Sequence, residues 1–285
     1  MNNIPVFFSD SLVADAQSFS PSPRKPALVV ASWQTLDIPV AINSPTPASI
    51  EELCLAHDSL YVSGVLQCVT NNGFGNKLPS VAESLPFTSG AFISASREAI
   101  SNGEVAIAPV SGFHHACYNR GGGFCTFNGL VVAAQVLKKE GLVKKVGILD
   151  FDQHYGNGTV DIIDKLNLQE WLRHYTAASE YSRPNQAETF LKSIPDLASR
   201  FADCDLILYQ AGADPHIDDP LGGWLTTDEL AERDRLVFES AKALGIPIAW
   251  NLAGGYQEEL RAVLDIHDNT LRACWGVFGQ PVSNE

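Results

Sequence analysis

In 285 residues, 19 Lys and Arg stand against 33 Asp and Glu, a formal charge of −14 that argues against nucleic acid and anionic membrane surfaces as direct partners. Hydrophobic residues at 45% and charged residues at 18% supply a sizeable core and exclude a disordered chain. The N-terminal MNNIPVFFSDSL has no basic start, and no stretch approaches the roughly 18 apolar residues of a bilayer span, so a cytoplasmic protein is expected. Six cysteines without a C-x-x-C fit neither a zinc ribbon nor a disulfide framework and read as small core residues.

Along the chain, short apolar runs rich in β-branched residues alternate with helical patterns. EVAIAPV (104–110), KKVGILDF (144–151), DLILYQ (205–210) and IPIAWNL (246–252) read as buried parallel strands, because both faces of each are apolar. GLVVAAQVLKKEG (129–141) repeats apolar residues at helical spacing and closes on Gly141. Thr226 and Glu229 have the spacing of a capping box ahead of a helix that Gly245 and Pro247 stop. The pattern predicts an open α/β sheet, with no repeat or long linker to divide residues 1–285 into more than one domain.

In such sheets ligands sit beyond the carboxyl ends of the strands, so the residues after each run carry the chemical information. After 104–110 come His114 and His115 between glycines, two imidazoles that suit proton transfer but equally suit a solvated turn packed on Phe113. The next run enters Asp150-Phe151-Asp152-Gln153-His154, whose alternation puts Asp150, Asp152 and His154 on one face, where carboxylate and imidazole can share a cation. Zinc accepts such N and O ligands and keeps a position open when the protein supplies only three. Asn157 and Gly158 are also explained as turn residues; two carboxylates closing an apolar strand are not, because each needs a partner. Asp214, after the third strand, is a candidate third ligand or a turn cap, and Tyr256, after the fourth, is a packed residue unless it faces the same crevice.

Taken together, GFHHA, GGGFC, D-x-D-x-H-x-GNGT, GADPHxxDPLGG and AGGY resemble the histone deacetylase family, within the fold shared by acetylpolyamine amidohydrolases and arginases. The motifs run in the family's order across residues 111–256, with weaker similarity through 50–66 and 71–77. The resemblance implies a three-layer α/β domain with a central, mostly parallel sheet and a zinc-dependent deacetylase acting on acetyl-lysine peptides or small acylated amines. Asp152, His154 and Asp214 match the metal ligands; His114 and His115 match the tandem histidines; Tyr256 matches the tyrosine that polarises the carbonyl. Asp150 and Asn157 match the partners of the two histidines, and Gly123 and Phe124 match the walls of the acyl-lysine channel. Zn2+, or Fe2+ in its place, is the implied cofactor, with a K+ near Asp150, Asp152 and His154 and a homo-oligomer as further expectations.

The chain departs from the family in two places. The segment between the GNGT region and the D-P-H strand is short, which puts the channel wall and the potassium site in question, and Tyr155 replaces a histidine that often follows the metal ligand. An arginase-like enzyme with two manganese ions would need aspartates where Gly156 and His216 stand. A non-catalytic protein that binds an acylated ligand is the third reading. Asp218, Asp219 and the 71–76 asparagines are candidate residues of a polar rim for cationic substrates; His57 and His267 read as structural or surface residues, His216 as a support for Asp214, and His174 has no assigned role.

Overall fold

The computed structural model describes residues 1–279; residues 280–285, part of the expected domain, lie outside the described residues. Among the described residues, seven strands form one sheet: β1 (Ile4–Phe7), β2 (Val40–Asn43), β3 (Val105–Ile107), β4 (Val146–Asp150), β5 (Leu172–Thr176), β6 (Leu206–Gln210) and β7 (Ile248–Asn251). Their order is β2-β1-β3-β7-β6-β4-β5, and every pairing is parallel, so the expectation of a mostly parallel sheet becomes an all-parallel one.

The four central strands are those the apolar runs predict. All residues of β3, β4, β6 and β7 are buried, as strands covered on both faces must be. β1 and the two edge strands, β2 and β5, escape the pattern: β1 is only alternately buried, β2 is half exposed and β5 carries Arg173 and His174.

Helices cover both faces. One layer includes α3 (Ser59–Leu66), α4 (Pro79–Asn102), α5 (Gly129–Lys139) and α6 (Asn157–Leu166); the other includes α1 (Lys25–Trp33), α7 (Ala187–Ser199), α8 (Thr227–Leu244) and α9 (Leu260–Phe278). A short α2 (Ile50–Leu53) completes the set. The predicted stops hold: Gly141 (φ 75°) follows α5 and Gly245 (φ 66°) closes α8, both in the left-handed region where a Cβ is costly. Thr226 and Glu229 form the capping box, with Glu229 N donating to Thr226 Oγ1 (3.3 Å) and Thr226 N to Glu229 Oε2 (2.8 Å).

For function, the strand order is the decisive feature. β3, β7, β6 and β4 are neighbours in that order, so the segments leaving their carboxyl ends are brought side by side although they lie far apart in the chain.

Candidate metal centre and active site

β4 ends at Asp150, and the two ligand candidates beyond it stand in a turn, not on the extended face that simple alternation predicts. The carboxylates themselves build this turn. Asp152 Oδ1 accepts from His154 N (3.0 Å), Asp150 Oδ1 from Asp152 N (3.2 Å), and Asp214 Oδ1 from Gln153 N (3.1 Å). Gly254 N, from the segment after β7, donates to Asp152 Oδ2 (2.9 Å).

The turn brings ligand atoms of Asp152, His154 and Asp214 within 4.8 Å of one another. His154 Nδ1 lies 3.2 Å from Asp152 Oδ1 and 3.1 Å from Asp214 Oδ2. Burial, with Asp152 beside it, pushes the Asp214 carboxyl up to about 7, whereas His114 and His154 overcome burial at Asp152 and hold it well below the ordinary range. Hydrogen bonds to Asp152 and Asp214 raise His154 to about 11. Two buried carboxylates and an imidazole thus draw positive charge to one point, and the donor set suits a zinc-like cation. Among the described residues this is the one cluster of its kind.

Two imidazoles flank the cluster, their ring centroids 4.1 Å apart. Their backbone is pinned by the first turn of α6, where Gly158 N (2.8 Å) and Thr159 N (3.0 Å) donate to His114 O. A Cβ at Gly158 would come within 2.4 Å of Ala116 O, and one at Gly156 within 2.7 Å of Asp150 Oδ2, so close packing explains both glycines of the GNGT run.

The two histidines have different partners. His114 Nδ1 meets Asp150 Oδ2 at 2.7 Å, and its Nε2 lies 3.5 Å from Asp152 Oδ1. Burial works against a charge on His114, but Asp150 and Asp152 outweigh it and bring the imidazole up to about 9. His115 Nδ1 donates to the neutral Asn157 Oδ1 (2.6 Å); burial and the neighbouring His114 push its imidazole down.

Tyr256 reaches the same crevice from the segment after β7, where Ala253 (φ 51°) and Gly255 (φ 137°) bend the chain sharply. Its backbone N donates to Asp219 Oδ2 (2.7 Å), and burial raises its phenol well above the usual value. Phe124 packs against Tyr256 with ring centroids 5.6 Å apart, and a Cβ on Gly123 would strike the His115 ring at 2.4 Å. All ten residues singled out from the sequence therefore border or back one crevice.

Other expectations need correction. Asp219 is buried and holds the backbone of Tyr256 and Leu221, so it is not a rim residue. Asn72 is also buried, with its side chain turned onto Asn76. Exposed apolar side chains, Phe19 packed on Phe124 and Tyr155 beside His154, stand near the opening instead. His216 turns to Thr227 Oγ1 (3.0 Å) and accepts from Asp218 N (3.1 Å), which makes it a turn residue that does not touch Asp214. His57 and His267 are both fully buried. His57 accepts from Asn128 N (2.8 Å) and donates to Cys117 O (3.0 Å), tying down both ends of the GGGFC segment, and burial lowers it to about 4.

Supports the sequence reading missed lie behind the site. Gln210, the last residue of β6, donates to Asp150 Oδ1 (3.0 Å) and accepts from Phe113 N (3.2 Å). A polar residue closing an apolar strand was its one visible signal. Lys25 buries its ammonium on Ala253 O (2.6 Å) and Gly254 O (2.9 Å), and Arg233, paired with Asp234, donates to Phe151 O (3.1 Å) and Gly212 O (2.8 Å). Neither had a sequence signal, because helix periodicity does not show which charged residue turns inward.

The fold and site define an α/β protein in whose described residues one Asp–His–Asp cluster, with the donors a metal ion would need, faces a tandem-histidine pair. The sequence model of the histone deacetylase domain matches residues 22–170 and 173–271, and the chain belongs to that family. It is 28% identical over 263 residues to histone deacetylase 2 of Arabidopsis thaliana, covering 81% of this chain and 68% of that one. It is also 28% identical over 194 residues to an uncharacterized protein of Picosynechococcus sp., covering 61% of this chain and 63% of that one. Among solved structures, the HDA15 HD domain superposes with a TM-score of 0.79 at 20% identity over 99% of this chain and 92% of that chain. Acetylpolyamine aminohydrolase from Burkholderia pseudomallei gives 0.74 at 15% over 96% and 99%. At these identities the two superpositions establish the fold.

Proposed function

We propose that this protein is a zinc-dependent amidohydrolase that removes an acyl group from an N-acylated amine. The observation that carries the reading is the convergence of Asp152, His154 and Asp214 within 4.8 Å beside His114, His115 and Tyr256. A zinc ion held by these three ligands would polarise the amide carbonyl and bring a water towards its deprotonated form near neutral pH.

The protein's own groups supply the proton transfers. Because Nδ1 of His115 donates to Asn157, its Nε2 carries the free lone pair, and its lowered pKa keeps it unprotonated near neutrality; it is the general base. His114, with Nδ1 on Asp150 and Nε2 facing Asp152, stabilises the negative charge that develops on the carbonyl oxygen. The proton taken by His115 is then available to the leaving amine. Tyr256, kept as a phenol by its environment, donates a hydrogen bond to the oxyanion, a role worth on the order of 3 kcal/mol in comparable sites.

The potassium expectation also has support. Thr176, paired in register with Asp150, has a buried hydroxyl without a partner, so an oxygen donor beside Asp150 is free for a monovalent cation. The two-manganese reading loses ground: Gly156 is packed against Asp150 and His174, and His216 faces Thr227, so neither position offers a second set of carboxylates.

The test is hydrolysis of acetyl-lysine peptides, acetylpolyamines and small N-acyl amines by zinc-loaded protein, with Asp214→Ala as control. Turnover that disappears in the control is expected. Zinc bound at one equivalent without turnover of any substrate would favour the non-catalytic acyl-binding protein.

A further inference from the structure

His174 belongs to none of the sequence motifs, yet the fold carries it to the back of the site. It stands on β5, an edge strand, where the parallel register sets it beside Ile148 and sets Thr176 beside Asp150. Its side chain is only 5% exposed, and Nε2 lies 3.7 Å from Asp150 Oδ2. That nitrogen is buried and has no hydrogen-bond partner among the described residues. Burying a polar atom without a partner is costly, so its placement needs an explanation.

The neighbours of this ring are specific. Asp150 Oδ2 has His114 Nδ1 at 2.7 Å and His174 Nε2 at 3.7 Å, while Oδ1 accepts from Gln210 Nε2 (3.0 Å) and Asp152 N (3.2 Å). Gly156 lies under the ring: a Cβ there would come within 2.9 Å of His174 Cε1, 3.0 Å of its Nε2 and 2.7 Å of Asp150 Oδ2. Gly156 directly precedes Asn157, whose Oδ1 holds His115. One imidazole therefore backs the partners of both tandem histidines. The same ring lines a surface cleft at the open edge of the sheet, with Val160, Ile163, Gln169 and Arg200.

We propose that His174 is a positioning residue: with its proton on Nε2, it fixes the Asp150 carboxylate and, through it, the His114 ring. The inference rests on the amidohydrolase reading and deepens it. A carboxylate turns about its last torsion unless donors hold both of its oxygens. Gln210 and the Asp152 amide hold Oδ1. At Oδ2, His114 is the group to be oriented, so the anchor must be another donor, and among the described residues His174 is the one that faces this oxygen. A separation of 3.7 Å is longer than a hydrogen bond, but an N–H dipole directed at a buried charge acts strongly where the local dielectric is low.

The experiment compares His174→Leu with His174→Gln. The two replacements are similar in volume, and glutamine alone carries an N–H to about the position of Nε2. In zinc-loaded protein, on the best substrate of the acyl-amine panel, His174→Leu is expected to lower kcat about tenfold and leave KM within about twofold, the low end of what outer partners contribute at metal sites. His174→Gln is expected to recover at least about half of the lost activity. A second readout needs no turnover: the NMR signal of the His114 Nδ1 proton in metal-free protein, identified by its loss in His114→Phe. It is expected to shift in His174→Leu and to return in His174→Gln. Equal losses of kcat in both variants would make His174 a packing residue and overturn the proposal, as would a kcat or a His114 signal that leucine leaves unchanged. If the wild-type protein hydrolyses no substrate, the amidohydrolase reading fails on its own; a signal shift that glutamine reverses would still support the link from His174 to Asp150, and an unmoved signal would overturn it.

Discussion

Replacing Asn157 with Asp should move the acid limb of the pH–rate profile upward. His115 and His114 are chemically identical and nearly in contact, yet His114, with Asp150 at 2.7 Å, is raised to about 9, and His115, with the neutral Asn157 at 2.6 Å, is lowered. The other groups facing His115 are His114, Asp152 and His154, and Asn157→Asp leaves them in place. A unit charge about 4 Å from the ring is worth ~1 kcal/mol at the dielectric of water and ~4 kcal/mol at an effective value of 20. Since residue 157 is exposed, the lower part of that range applies, and an upward shift of about 1–2 units is expected. The sign follows from the role: a base must be unprotonated, so raising its pKa removes active enzyme at low pH and spares the plateau at higher pH. The fold should tolerate the change, because residue 157 opens α6 and a carboxylate there suits the helix N-terminus. The assay is kcat/KM from about pH 5 to 9 for both proteins, with zinc content checked at each pH. An acid limb that stays in place would refute His115 as the group whose deprotonation limits the rate.

Three other outcomes are expected. Tyr256→Phe should lower kcat by about 10²–10³ while the protein still takes up one zinc, as metal analysis and steady-state kinetics would show; an unchanged kcat would remove Tyr256 from the mechanism. Arg233→Met should cost about 3–5 kcal/mol in denaturant unfolding, because Asp234 is left buried without its cation and the Phe151 and Gly212 carbonyls lose their donor; a loss below about 1 kcal/mol would show that the pair is dispensable. Chelation should abolish turnover and added zinc restore it, with zinc affinity weakening as pH falls, since His154, raised to about 11, and the Asp214 carboxyl, raised to about 7, must shed protons to bind; metal titrations at pH 6 and 8 would measure it.

Much of this site is legible in the sequence because its chemistry is punctuated by strand ends. Buried strands are nearly all apolar, so Asp150, Asp152, Asp214 and the tandem histidines stand out where the runs stop, and the Thr226–Glu229 box and Gly245 mark α8 through local backbone rules. Residue types and their order along the chain thus determined the donor set and the family. What they could not determine is adjacency. The strands follow one another as β3, β4, β6 and β7 but lie as β3-β7-β6-β4, and only that arrangement carries the Gly254 amide to Asp152 and Tyr256 to the histidines. Tertiary packing also turned Asp219 inward and placed His57, Gln210, Lys25 and Arg233 behind the ligands. Each depends on which distant surfaces meet, and local periodicity carries no record of that.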